Sequence, residues 1–195
     1  MLLVGVTGGI GSGKSLVCQI LEKLGIPVYY ADQEARRLMN TDEGLVLGVK
    51  ELLGEEAYRE GELDRKHVAS LVFGRPDLLL ELNELVHPAV RSDFRKWAGR
   101  QKGVPYVVEE AALLFESGSA EEFDLIVVVD APEELRIRRV SDRDGITGEQ
   151  VRRRMSGQMP PEEKRERADE VVINDGERML LPQVVALHEK LINCK

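Results

Sequence analysis

Short, unbroken apolar runs alternate along the chain with longer stretches whose apolar positions recur every three to four residues. Leu2 to Val6 runs straight into glycines, Val28-Tyr29-Tyr30 follows Pro27, and Tyr106-Val107-Val108 follows Pro105. Asp124 and Asp130 frame the strongest run, Leu125 to Val129, and Glu170 to Asn174 holds the last. None alternates apolar with polar, which is the pattern of strands buried on both faces of a parallel sheet. Between the runs, Leu16, Val17, Ile20, Leu21 and Leu24 lie at helical spacing over Ser15 to Leu24, and the stripe stops at Gly25. Leu135 to Val140 follows Pro132-Glu133-Glu134, a favourable helix start, and Met179 to Ile192 reads as a closing helix. This succession predicts an α/β doubly wound sheet. Residues from about 33 to 99 carry no strand signal and read as several helices, Leu78 to Val86 and Val90 to Trp97 among them. Residues from about 141 to 167 are helical, strongly charged and interrupted by Pro160-Pro161. A sheet core with two helical insertions is expected, without internal repeats, low-complexity segments or flexible linkers.

Composition narrows the class. No apolar stretch in the 195 residues approaches the ~20 that a membrane helix needs. Met1-Leu2-Leu3-Val4 lacks the basic start of a signal peptide. Cys18 and Cys194 stand at opposite ends, with neither disulfide-framework nor metal-ligand spacing, which fits a reducing cytoplasm. The formal net charge of -8 argues against a general nucleic-acid binder, whose affinity rests on phosphate contacts. Basic residues nevertheless cluster at Arg136, Arg138, Arg139, Arg143 and Arg152 to Arg154, then Lys164, Arg165 and Arg167. Composition leaves two readings of that cluster, a local anion site and a solvated helical surface.

Gly8-Gly9-Ile10-Gly11-Ser12-Gly13-Lys14-Ser15 matches G-x-x-x-x-G-K-S/T between a predicted strand and a predicted helix, the context that gives the motif its meaning. Glycines let successive N–H groups turn inward and phosphate oxygens approach, and the helix start adds its positive dipole end. Lys14 then reaches the β- and γ-phosphates and the Ser15 hydroxyl binds Mg2+. A GTPase would also carry N-K-x-D, which is absent; Asp142-Arg143-Asp144-Gly145 matches D-x-x-G only formally, since it follows a predicted helix. Glu109-Glu110 resembles the acidic pair that closes a strand in motor ATPases. In a small-molecule kinase the acceptor needs a carboxylate on the same sheet edge. Asp32, just after the second strand, serves either as that base or as a helix N-cap, though Ala35 stands where a capping box would place Glu or Gln.

With these residues in view, the whole chain resembles the dephospho-CoA kinase family. The likeness rests on Thr7 to Ser15, Ala31-Asp32 with Ala35-Arg36, Val86-His87-Pro88, Leu113-Leu114-Phe115-Glu116, Arg143-Asp144-Gly145-Ile146-Thr147, Gln158, Ala168-Asp169 and Ile173-Asn174. It implies a P-loop nucleoside-kinase-like α/β fold with a five-stranded parallel sheet flanked by helices. The nucleotide-binding core would comprise about 1–32, 100–140 and 168–195, with a helical acceptor-binding subdomain over about 33–99 and a helical lid over about 141–167. The implied reaction is ATP-dependent, Mg2+-requiring phosphorylation of the ribose 3'-hydroxyl of dephospho-CoA. By carry-over Asp32 is the base, while Lys14, Arg139 and Arg143 steady the phosphoryl group, with the other lid arginines solvated. Gly9, Ile10, Gly11, Ser12, Gly13, Lys14, Ser15, Leu16 and Asn174 line the nucleotide, Ser15 holds the metal, and Asp32, Arg36, His87 and Leu113 meet the acceptor. Leu16, Ala112 and Glu110 depart from the family pattern, where Thr, Pro and Asp are usual. His87 reads equally as structural, Cys18 and Trp97 as packing, and His67 and His188 as surface or packing residues. Two other readings stay open: a related kinase with another acceptor, and an ATP-dependent switch that phosphorylates no small molecule.

Overall fold

The computed structural model describes residues Met1–Cys194. Chain order runs β1 (Leu2–Thr7), α1 (Lys14–Lys23), β2 (Val28–Tyr30), α2 (Ala31–Thr41), α3 (Glu43–Leu53), β3 (Tyr58–Arg59), β4 (Glu62–Leu63), α4 (Arg65–Val72) and α5 (Pro76–Arg100). It continues with β5 (Tyr106–Glu110), β6 (Leu125–Asp130), α6 (Glu133–Asp144), α7 (Gly148–Met155), α8 (Pro161–Glu166), β7 (Glu170–Ile173) and α9 (Leu180–Asn193). The chain divides into two compact units, residues 1–30 with 101 onward, and Ala31–Arg100.

In the first unit five parallel strands lie in the order β2-β5-β1-β6-β7. One face of the sheet packs Val4, Val6, Tyr106, Val108, Val127 and Val129 against Val17, Cys18 and Leu21 of α1 and Val184, Leu187 and Leu191 of α9. The opposite face buries Ile126 and Val128 with Leu114 and Phe115. Both faces are covered, so the strands read as continuous apolar runs. Fully buried Tyr106 keeps its hydroxyl satisfied by a 2.8 Å hydrogen bond with His188 Nδ1 on α9, which makes His188 a packing residue. Because all strands are parallel, their carboxyl ends share one edge, and central β1 delivers the glycine loop there.

The second unit is helical, with α2 and α3 packed on α5. Two sequence expectations are corrected here. Leu78 to Val86 and Val90 to Trp97 belong to one 25-residue helix that passes through Pro88. Its buried residues Leu82, Val86, Val90, Phe94 and Ala98 recur every fourth position, so the stripe stays in phase across the proline. That shared packing offsets the backbone bond that proline cannot donate. The region also contains strand, since β3 and β4 form a two-stranded antiparallel hairpin. Tyr58 donates its hydroxyl to the Met39 carbonyl at 2.6 Å and Leu63 N donates to Asn40 Oδ1 at 2.8 Å, tying the hairpin to α2. Strands of two residues are too short to show a period.

Candidate active site

The glycine loop leaves β1 at Thr7 and enters α1 at Lys14. Gly13 occupies the N-cap position at φ +98°, a left-handed conformation that costs other residues about 1–2 kcal/mol. A Cβ there would also collide with Asn174 Nδ2. That amide, just past β7, donates to the Ser12 carbonyl at 2.8 Å, while its Oδ1 accepts from Arg139 Nη2 at 3.2 Å. Arg139 also reaches the Gly11 carbonyl at 3.4 Å. Asn174 and Arg139 therefore brace the loop from outside. The Asn174 backbone N–H donates to the Asp130 carbonyl at 2.8 Å, which fixes this brace to the end of β6.

Gly11, Gly13, Lys14, Ser15, Arg139, Val140 and Arg143 line one cavity of about 200 Å³. The sequence motif and two arginines from the far side of the chain thus meet in one place. Lys14 is nearly buried, its Nζ 3.9 Å from Glu110 Oε1 at the carboxyl end of β5. Ser15 and Leu16 are exposed at the start of α1. Arg143 is exposed and held by Asp144 through paired bonds of 2.7 and 3.1 Å, and Arg154 takes the same carboxylate at 2.8 Å. The Arg143 guanidinium foremost holds the Asp144 carboxyl below its usual range. Cys18, one turn beyond Lys14, has its thiol pushed up by burial and then by Glu110, so it is a packing residue rather than a thiolate.

Residues 141–167 fold against this loop. Gly145 in the left-handed region (φ 66°) ends α6, and Thr147 opens α7 with a capping box to Gln150. Val151 and Met155 of α7 pack with Ile137, Val140 and the loop residue Ile10. Gln158 Oε1 accepts from Ile10 N at 2.9 Å. Lys164 of α8, 1% exposed, donates to Glu116 Oε1 at 2.9 Å and to the Ala112 carbonyl at 3.0 Å. Glu116 Oε1 also accepts from Met159 N at 2.8 Å, so the segment after β5 is pinned to residues 159–164. Leu113 is half-buried in that segment.

Sequence reasoning missed Gln158 as a loop contact and misread Arg136. Arg136 is 5% exposed, not solvated, and a Cβ on Gly9 would collide with its Nη1. The signal was present: Arg136, Arg139, Val140 and Arg143 follow helical spacing and share a face of α6. On β5, Glu109 is buried on the face opposite Glu110, and burial, then Glu122, pushes its carboxyl up to about 8.

In the second unit Asp32 and Arg36 lie one turn apart on α2, both exposed. The cap reading of Asp32 fails, because α2 begins at Ala31 directly after β2 and Asp32 is its second residue. His87 is half-buried on α5, and burial, then Arg91, lowers the ring's affinity for a proton.

A family model described as dephospho-CoA kinase matches residues 2–179. The chain belongs to the dephospho-CoA kinase family. The dephospho-CoA kinase of Bacteroides fragilis is 42% identical over 184 residues, covering 94% of this chain and 90% of that protein. That of Salinibacter ruber is 46% identical over 179 residues, covering 90% of each. The solved structure of TT1252 from Thermus thermophilus superposes with a TM-score of 0.85 at 39% identity, covering 97% of this chain and 96% of that one. Among the described residues no helix is long and apolar enough to cross a membrane.

Proposed function

We propose that the chain transfers the terminal phosphoryl group of ATP to the ribose 3'-hydroxyl of dephospho-CoA, yielding coenzyme A and ADP in the cytoplasm. The observation that carries this reading is the meeting of Gly11, Gly13, Lys14, Ser15 and Arg139 around one cavity at the carboxyl edge of the sheet. Family membership supplies the acceptor. Loop amides and Lys14 take the phosphate oxygens, and Arg139 and Arg143 face them from α6. Asp32 accepts the 3'-hydroxyl proton as the new O–P bond forms, and the bond from the γ-phosphorus to the bridging oxygen breaks to release ADP. Arg36, His87 and Leu113 are assigned to acceptor binding.

The donor set fits Mg2+, which prefers one or two protein oxygens plus phosphates and water. Ser15 offers an exposed hydroxyl at the loop's end, and no group of three or more His, Cys, Asp or Glu forms a metal cage among the described residues. When bound, Mg2+ neutralises charge on the β- and γ-phosphates. Glu110 is assigned to orient Lys14.

The test is product identification by mass spectrometry after incubation with Mg-ATP and dephospho-CoA, with Lys14→Ala as control. Coenzyme A from the wild type alone is the expected result. No coenzyme A from folded protein that still binds ATP would overturn the acceptor assignment and call for a screen of other hydroxyl acceptors.

A further inference from the structure

The segment that follows β5 has no regular structure of its own. Residues 112–118 run through successive turns at the carboxyl edge of the sheet, just after Glu110, whose Oε1 lies 3.9 Å from Lys14 Nζ. Their position is fixed from outside, by residues 158–164. Met159 N donates to Glu116 Oε1 at 2.8 Å. Lys164, 1% exposed, places its Nζ 2.9 Å from the same oxygen and donates to the Ala112 carbonyl at 3.0 Å. The Met159 side chain packs into the cluster of Leu114 and Phe115, and the Arg167 guanidinium lies 4.9 Å from the Phe115 ring centre. One stretch of chain thus holds this segment at both of its ends.

The same stretch also grips the phosphate loop. Gln158 Oε1 accepts from Ile10 N at 2.9 Å, one residue before Met159 turns to Glu116. Between Met159 and Lys164 stand Pro160 and Pro161, whose rings fix φ, and Lys164 N donates to the Pro160 carbonyl at 3.0 Å. The connection from loop to segment is therefore short and stiff. An apolar pair of the same volume would often hold two segments together as well as a buried charge pair does. What the charged pair adds is direction, because one carboxylate oxygen takes both the Met159 amide and the Lys164 ammonium.

We propose that residues 158–164 act as a strap that fixes the segment after β5 against the phosphate loop, with Gln158 and Glu116 as its positioning residues. Neither side chain touches the reacting groups in this role. Together they set the separation at which the donor phosphate and the acceptor hydroxyl meet. This rests on the reading of ATP as donor and dephospho-CoA as acceptor. A misplacement of about 1 Å between reacting groups costs about a hundred-fold in rate, so a strap that leaves each substrate's own contacts alone acts on turnover rather than on binding.

The strap is cut at one end by Gln158→Met, of similar length but without the amide oxygen. It is cut at the other by the paired variant Glu116→Ala/Lys164→Met, which leaves no buried charge. Coenzyme A formation, separate affinities for ATP and dephospho-CoA by calorimetry, and amide hydrogen exchange of peptides spanning 8–15 and 111–118 are measured for each and for the triple combination. Each cut should lower kcat about ten- to a hundred-fold while both substrates bind nearly as in wild type. Because one strap carries both contacts, the triple variant should lose no more than the worse of its parents. Each cut should also speed exchange at the far end, the 111–118 peptide in Gln158→Met and the 8–15 peptide in the paired variant. Unchanged kcat would overturn the inference, as would losses that multiply in the triple variant or a defect confined to the affinity for one substrate. Should the paired variant fail to fold, kcat and far-end exchange of Gln158→Met decide. A wild type that makes no coenzyme A refutes the acceptor reading; far-end exchange still tests the strap, and its absence would overturn it.

Discussion

Replacing Glu109 by Gln should change how stability responds to pH. Glu109 lies on β5 between Tyr29 of β2 and Gly5 of β1 in the sheet register, and is 4% exposed. Burial raises its carboxyl from an ordinary 4.5 to about 8, with Glu122 adding to the effect. The folded chain therefore keeps a proton that the unfolded chain gives up between these values. Stability from the neutral carboxyl is fully present below pH 4.5 and is lost as pH rises through about 8. At 1.36 kcal/mol per pH unit, the full effect is on the order of 4–5 kcal/mol, an upper bound once water and side chains relax around the charge. The amide introduced by Glu109→Gln has the same shape as the neutral carboxyl and no proton to lose. Scanning calorimetry of wild type and Glu109→Gln at pH 4 and pH 9 reads the difference directly, since all other titrations are shared. The two should melt together at pH 4, below the ordinary carboxyl value. At pH 9 the variant should melt higher, each kcal/mol being worth about 2–4 °C in a chain of this size. Parallel pH dependence in the two proteins would refute the reasoning and mean that Glu109 is ionised in the fold.

Further outcomes follow from the same geometry. Asp32→Asn should lose about 10²–10⁴-fold in turnover while its ATP-induced rise in melting temperature is unchanged, and normal turnover would remove the base assignment. Glu116→Ala should destabilise by about 3–5 kcal/mol because Lys164 is left buried without its carboxylate. Combining it with Lys164→Met should recover most of that loss in the same melting experiment, and a double variant as unstable as the single one would contradict it. Gly13→Ala should lower the melting temperature by several degrees, at about 1–2 kcal/mol of backbone strain, and weaken ATP binding, because Asn174 must yield its place against the loop. An alanine variant with wild-type ATP affinity would show the Asn174 brace to be dispensable.

Much of this architecture was legible along the chain. A strand covered on both faces must be apolar at consecutive positions, so β1, β5 and β6 announced themselves and with them the parallel sheet. The phosphate loop was equally legible because its chemistry is local: backbone angles, a lysine and a hydroxyl within one short segment, Gly8 to Ser15. Tertiary structure alone decided what depends on neighbours distant in sequence. Asn174 lies 162 positions from the carbonyl it braces, and Gln158 lies 148 from the amide it holds. Arg136 and Arg138 look alike in the sequence, yet one is buried against Gly9 and the other is solvated, since only the packing of α6 on the loop sets which face is turned inward. Burial also separates Glu109 from Glu110, adjacent residues on opposite faces of one strand. Sequence determines which groups a chain can bring to a reaction; packing determines their solvation and partners, and so which of them remain charged and available.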